Sequence, residues 1–283
     1  MMQHICVIGA GQMGGGIAQV CAQSGYQVTL VDNNSEQLSK AITIAKKSLD
    51  KLASKEKLSE ADKNDALSRL NTTTNIADAK AADVFIEAAT ESMSVKAQIL
   101  TAVAEVCSNE ALLASNTSSI SITQLGQLSG VPERFLGLHF MNPVPVMKLV
   151  EIIRGTATSN TTYEQGCELI TSLGKTIVTA MQDRPGFIVN RILMPMINEA
   201  AFVFMEGIGS AEDIDQSMRL GTNHPMGPLQ LADFIGLDTC LAIMEVLYNG
   251  FNDSKYRPCP VLKNYVDAGW LGKKAGRGFY NYN

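Results

Sequence analysis

No CxxC spacing links any two of the six cysteines, at positions 6, 21, 107, 167, 240 and 259. A zinc cluster or a thioredoxin-like redox pair is therefore not expected. Nor does a basic, apolar leader precede the first strand-like segment, since Met1-Met2-Gln3-His4 runs straight into it, so an oxidising compartment is not implied. The expected setting is the cytoplasm, with the thiols acting as small apolar side chains. No apolar run reaches membrane-spanning length, which argues against a membrane partner. Positive charge is not in excess: 23 Lys and Arg stand against 28 Asp and Glu, for a net charge of -5. Nucleic-acid binders are usually basic, so that class is disfavoured as well, although a local basic patch can still meet a phosphate-bearing ligand. Internal repeats and low-complexity tracts are absent, and histidine is scarce, with three residues in the chain.

What is present has a clear rhythm. A short apolar run, HICVIG (4–9), ends in glycine, a helix-like segment follows over 13–24, and QVTLVD (27–32) reads as a second β-branched strand. Strand, glycine turn, helix and strand in that order make a βαβ unit. Residues 35–70 are polar, Lys-rich and helix-forming, with Leu38, Ile42, Ala45, Leu49 and Leu52 spaced as one apolar stripe. A break near 54–59 and the capping-box form Ser59-Glu60-Ala61-Asp62 predict two helices in a hairpin that projects from the sheet. Strands are then expected at 83–89, 111–115, 135–141, 148–153 and 176–181, alternating with helices at 94–107, 121–128 and 161–173. This is the pattern of an α/β, Rossmann-type doubly wound sheet. The rhythm stops at Asp183-Arg184-Pro185-Gly186. The chain is expected to divide there into a dinucleotide-binding domain, 1–185, and an all-α domain, 186–283, with helices near 187–207, 210–219, 228–249 and 258–267.

Gly9-Ala10-Gly11-Gln12-Met13-Gly14 has the form G-x-G-x-x-G and sits between a strand and a helix, the context that gives the pattern meaning. Gly9 permits the tight turn, Gly11 lets a pyrophosphate approach the backbone, and Gly14 lets helix and strand pack closely. The loop with Gln12 and Met13 then offers helix N-terminal N–H groups to the phosphates. Asp32, at the end of the second strand, can accept hydrogen bonds from ribose hydroxyls and would repel a 2′-phosphate, while Asn33 and Asn34 supply no arginine for one. NAD is expected over NADP.

Of the three histidines, His4 and His224 read as structural. His139 has a candidate partner. If strands 135–141 and 148–153 form an antiparallel hairpin centred on Pro145, His139 faces Glu151. Such a carboxylate would fix the imidazole tautomer and stabilise its protonated form, which suits an acid/base for alcohol oxidation. A purely structural pair is the competing reading. Asn116-Thr117-Ser118-Ser119 follows a strand at the sheet end where ligands sit, or forms a plain polar turn. Asn190, early in the first helix after the break, either faces a cleft or serves the helix terminus.

Taken together, GAGQMGGGIAQ (9–19), ASNTSS (114–119), LHFMNPVPVMKLVEII (138–153), DRPGFIVNRILMPMINEA (183–200), NHPMGPLQLADFIGLD (223–238) and GKKAGRGFY (272–280) resemble the L-3-hydroxyacyl-CoA dehydrogenase family, its short bacterial members most closely. The resemblance spans essentially the whole chain. It implies NAD-dependent hydride transfer between a 3-hydroxyacyl-CoA, with 3-hydroxybutyryl-CoA the expected one, and its 3-ketoacyl-CoA. By resemblance His139 is the acid/base, Glu151 orients it, Ser118 bonds the substrate oxygen, Asn190 positions the acyl group and Asn142 lies near the same site. For the cofactor it points to the 9–14 loop, Asp32, Glu91, Lys96, Asn116, Ser118, Asn142 and Lys274. For coenzyme A it points to Ser48 and Lys55, which assigns the Lys-rich insertion to phosphate contact. Met141 departs from the aromatic residue common after His-Phe. Two competing readings are a dehydrogenase of free hydroxy acids, which would use a lysine in the helical half, and a non-catalytic NADH-binding protein. The His139–Glu151 hairpin argues against the first, and the joint presence of Ser118, His139, Glu151 and Asn190 argues against the second. The apolar residues Ile192, Met196, Ile197 and Phe202 predict a homodimer through the helical half.

Overall fold

The computed structural model describes residues 2–282. The chain forms two compact units, the first ending at Arg184 and the second beginning at Pro185. The first is built on an eight-stranded sheet of β1 (His4–Ile8), β2 (Gln27–Val31), β3 (Leu70–Thr73), β4 (Val84–Glu87), β5 (Leu112–Ser115), β6 (Phe135–Phe140), β7 (Leu149–Ile153) and β8 (Thr176–Ala180). Their order is β3-β2-β1-β4-β5-β6-β7-β8. Every neighbouring pair is parallel except β6 with β7. The central strands are buried along their whole length, as unbroken apolar runs such as Ile5-Cys6-Val7-Ile8 require when helices cover both faces.

The helices of this unit are α1 (Gln12–Gln23), α2 (Ser35–Ala53), α3 (Glu60–Ser68), α4 (Met93–Val106), α5 (Ile122–Leu128) and α6 (Asn160–Ser172). α2 begins at Asn34, whose side chain accepts the N–H groups of Glu36 and Gln37. α3 begins at Ser59, which accepts the Asp62 N–H and donates its hydroxyl to the Asp62 carboxylate. The expected helical hairpin is therefore present, but it does not project. α2 and α3 fold back onto α1, with Leu38, Ala41, Ala45 and Leu49 buried. Small residues bring the axes together: a Cβ on Gly15 would stand 3.3 Å from that of Ala41. Gln19 Nε2 donates to Ser48 Oγ at 3.0 Å across the same contact.

β3 was not expected. Its sequence, Leu-Asn-Thr-Thr, is short and polar. It adds to the sheet edge through parallel backbone bonds to β2, which need no apolar pattern.

The second unit contains α7 (Val189–Met205), α8 (Ala211–Gly221), α9 (Pro228–Ile235), α10 (Leu237–Phe251) and α11 (Pro260–Asp267). The expected single helix over 228–249 is two helices, because Gly236 adopts φ +106° between α9 and α10. Met194, Ile197, Ala201, Leu237, Cys240, Met244 and Leu247 form its core. Ile197 therefore belongs to the interior and not to an apolar outer face. Two buried carboxylates organise the rest. Asp215 accepts the N–H groups of Leu229 and Gln230 at the start of α9 and the Tyr280 hydroxyl. Asp233 accepts the N–H groups of Phe279 and Tyr280 at 2.9 Å each. Burial pushes the Asp233 carboxyl above its usual range, and these donors oppose the shift.

Among the described residues no helix is long and apolar enough to cross a membrane. All six cysteines are free thiols; Cys6, Cys21, Cys240 and Cys259 are buried, Cys107 and Cys167 partly exposed. Burial pushes the thiols of Cys6, Cys21 and Cys240 up to about 12, leaving them without reactive thiolate near neutrality. Titration of the folded protein with a thiol reagent at pH 8 is expected to register Cys107 and Cys167 quickly and the full six only after unfolding. Rapid reaction of more than two thiols in the folded protein would contradict this placement.

Candidate active site

Strand order reverses beside β1, so the loops after β1 and β4 diverge and leave a crevice at the carboxyl ends of the strands. Gly9 turns the chain out of β1 at φ +104°, and a Cβ there would meet the Ala88 carbonyl oxygen at 2.7 Å. Gly14 allows none either: its Cβ would stand 1.8 Å from the Gly9 oxygen. Gly11 differs, with nothing within 4 Å of where its Cβ would lie. The start of α1, at Gln12 and Met13, has no side-chain cap and no acidic residue in its first turn. Its N–H groups thus face an open approach, as a pyrophosphate needs. Asp32 closes the far side of the turn, its carboxylate accepting the Ala10 N–H at 2.7 Å and the Asn34 N–H at 2.9 Å. A dinucleotide fits these residues: open backbone for phosphate, and an acid at the end of β2 for ribose hydroxyls.

The three glycines 14–16 each serve a different neighbour. Gly14 meets Gly9, Gly15 meets Ala41 of α2, and Gly16 receives Val144, whose Cβ would lie 3.0 Å from one on Gly16. Val144 belongs to the link between β6 and β7, which Lys175 ties down by donating to the carbonyls of Val144 (2.6 Å) and Met147 (2.7 Å). Asn142, exposed, lies in the same link. β6 and β7 pair in the register that sets His139 opposite Glu151. His139 Nδ1 and Glu151 Oε2 are 2.7 Å apart, and the Glu151 side chain is fully buried. β7 is flanked by β6 and β8, which explains the burial.

The loops after β4 and β5 interlock beside this pair. Glu91 accepts the Thr117 hydroxyl at 2.7 Å and the Ser118 N–H at 3.0 Å. Asn116 Oδ1 accepts the N–H of Phe140, next to His139. Asn116, Ser118, Glu91, His139 and Glu151 are thus connected through one set of loops and strand ends. Lys96 is not at the loop surface. It is fully buried, its ammonium 2.7 Å from Glu87 Oε1, so its expected contact with the cofactor is replaced by a contact with the chain itself. Ser48 faces Gln19 of α1, and Lys55 is exposed in the turn after α2. Asn190 and Lys274 belong to the second unit. Asn190 is the second residue of α7, and Lys274 pairs with Asp238 at 2.6 Å. His4 bonds Thr29 at 2.8 Å within the sheet, a structural role. Glu87, Lys175, Gly15 and Gly16 were given no role in the sequence. Only Glu87, an acid closing the otherwise apolar Val-Phe-Ile-Glu strand, left a signal there.

Models of two domains match the chain: the NAD binding domain of 3-hydroxyacyl-CoA dehydrogenase over residues 4–184, and the C-terminal domain of the same enzyme over 186–282. A 3-hydroxybutyryl-CoA dehydrogenase of Bradyrhizobium diazoefficiens is 51% identical over 282 residues, covering 100% of this chain and 96% of the relative. A probable 3-hydroxybutyryl-CoA dehydrogenase of Bacillus subtilis is 50% identical, covering 99% and 98%. The crystal structure of (S)-3-hydroxybutyryl-CoA dehydrogenase from Ralstonia eutropha superposes with a TM-score of 0.97 at 51% identity, over 100% of both chains.

The glycine geometry separates two kinds of loss. Gly14→Ala is expected to lower stability by about 3 kcal/mol, the upper end of ordinary overpacking, because its Cβ meets backbone that cannot yield. Gly11→Ala is expected to melt like the parent and to bind NADH at least about tenfold more weakly, since its methyl occupies the phosphate approach. Melting curves and NADH fluorescence titration read the two effects, and equal melting losses would refute the distinction.

Proposed function

The chain belongs to the 3-hydroxyacyl-CoA dehydrogenase family and is an NAD-dependent oxidoreductase, and we propose that it interconverts 3-hydroxybutyryl-CoA and acetoacetyl-CoA with His139 and Glu151 as its acid/base pair. The observation that carries this reading is the buried 2.7 Å contact between His139 Nδ1 and Glu151 Oε2. A carboxylate on Nδ1 fixes the tautomer and leaves proton exchange with the substrate to Nε2. In the oxidative direction His139 takes the proton of the 3-hydroxyl, and Glu151 stabilises the imidazolium. Bound NAD would supply the acceptor for the hydride leaving C3. Ser118, held by Glu91, donates to the C3 oxygen as charge develops there. Asn190 and Asn142 position the acyl group. The 9–14 loop with Gln12 and Met13, Asp32, Glu91, Asn116 and Lys274 serve the cofactor, and Ser48 and Lys55 serve the coenzyme A phosphates.

The second unit supports a homodimer. Ile192, Ile208 and Leu220 are about two-thirds or more exposed, at 68%, 70% and 76%. Ile208 lines an apolar groove of about 470 Å³ together with Met196, Val203, Ile214 and Met218. Apolar surface of this kind is usually covered by a symmetric partner. Free, scattered thiols suit the cytoplasm as the place of action.

NADH oxidation against acetoacetyl-CoA and longer 3-ketoacyl-CoAs tests the substrate, with turnover expected to be fastest on the four-carbon acyl group. His139→Gln is expected to lower kcat by roughly a thousandfold, within the span of general acid/base catalysis, with NADH affinity retained. Glu151→Gln is expected to move the pH–rate profile. Near-parental kcat in the first variant would remove His139 from the mechanism, and an unmoved profile in the second would make Glu151 a structural partner only. Light scattering at micromolar concentration is expected to give twice the chain mass, and a strict monomer would overturn the dimer.

A further inference from the structure

Beneath the cofactor loops lies a charged pair to which the reaction above gives no chemical step. Glu87, the last residue of β4, and Lys96, in the first turn of α4, are both buried, at 1% and 0% exposure. Lys96 Nζ donates to Glu87 Oε1 at 2.7 Å and Oε2 at 2.8 Å, and reaches the Ala89 carbonyl at 3.5 Å. The Ala89 N–H donates to Oε1 at 2.7 Å and Ser115 Oγ to Oε2 at 2.6 Å. Each carboxylate oxygen therefore has two donors, drawn from α4, the β4–α4 loop and the end of β5.

Stability alone does not account for this arrangement. Desolvating two charges costs several kcal/mol per ion, and an apolar pair of similar volume often serves a fold as well or better. An apolar pair cannot, however, hold Ala89 by both its N–H and its carbonyl, or hold Ser115 by its hydroxyl. These are the roots of the two loops that carry Glu91, Asn116 and Ser118. Ser115 Oγ in turn accepts the Thr117 N–H at 3.2 Å, and Glu91 closes the far end by binding Thr117 and Ser118. Ala88 lies against Gly9, with no room for a Cβ between them, so movement of the β4–α4 loop is felt in the glycine turn.

We propose that Glu87 is a positioning residue: its carboxylate, paired with Lys96, sets the β4–α4 and β5–α5 loops in register and so shapes the cofactor face and the placement of Ser118. This rests on the reading of those loops as the cofactor site. Three variants test it: Glu87→Gln, the charge-free double variant Glu87→Gln/Lys96→Met, and Ser115→Ala, which removes one donor without touching charge. NADH binding is measured by fluorescence titration, beside melting curves and steady-state kinetics.

Glu87→Gln is expected to weaken NADH binding and raise its KM by about tenfold, the scale of a sub-ångström misplacement, and to lower kcat as Ser118 is displaced. The double variant, with no buried charge left, is expected to melt close to the parent and still bind NADH about tenfold more weakly. Ser115→Ala is expected to weaken it about threefold, with a melting temperature lowered by the loss of its buried bonds to Glu87 and Thr117. Parental NADH affinity in the double variant, or in Ser115→Ala if neither charge variant folds, would reduce the pair to a structural one and overturn the proposal. Because binding is read without turnover, failure of acetoacetyl-CoA to react would count against the substrate and not against this role for Glu87.

Discussion

Helix α1 can lie where it does only because Gly14, Gly15 and Gly16 carry no side chains. Each looks in a different direction, toward the turn at Gly9, toward α2 at Ala41 and toward the β6–β7 link at Val144. One short stretch thus brings together the dinucleotide turn, the helical hairpin and the hairpin that bears His139. At Gly14 the approach is to backbone and no side-chain rotation recovers it, whereas at Gly15 and Gly16 the neighbours are side-chain atoms of Ala41 and Val144 at 3.3 and 3.0 Å. The first turn of α1 is left uncapped and open at Gly11, and the N–H groups there remain available to a ligand.

The second determinant is the reversal of strand direction at β7. A wholly parallel sheet would place a crossover between neighbouring strands and set their residues in register only by chance. The antiparallel β6–β7 pair is joined by a short link, and direct opposition of residues follows from its length. His139 and Glu151 thereby meet inside a sheet continued by β8 on the far side, which keeps water from the carboxylate. The direction of β7 is thus as much a part of this site as the identity of its residues.

Buried or partly buried carboxylates recur wherever a loop must be held. Asp32 grips the glycine turn through Ala10, Glu87 the β4–α4 loop through Ala89, and Asp183 the start of α5 through Thr123. In the helical unit Asp215 holds α9 and Asp233 the residues near 279–280. In each case an acid accepts N–H groups that irregular backbone would otherwise leave unpaired. Asp233 also explains much of the GKKAGRGFY motif, because a Cβ on Gly272 or Gly278 would collide with it.

The amino-acid pattern by itself determined the alternation of strands and helices, the glycine turn and its acid at Asp32, and the register that opposes His139 to Glu151. Those features rest on short-range rules: short unbroken apolar runs for buried strands, turn chemistry, and the arithmetic of a hairpin. It misjudged what long-range packing sets. β3 has no apolar pattern to show, because backbone bonding to an edge strand requires none. The helical hairpin lies on α1 instead of projecting, because Gly15 and Ala41 permit a close contact between segments distant in sequence. Residues 228–249 form two helices because Gly236 takes a positive φ. Lys96, which the family resemblance assigns to the cofactor, is sealed by the fold against Glu87. Only the tertiary structure decides these points, since each depends on what the chain brings alongside the residue and not on its neighbours in sequence.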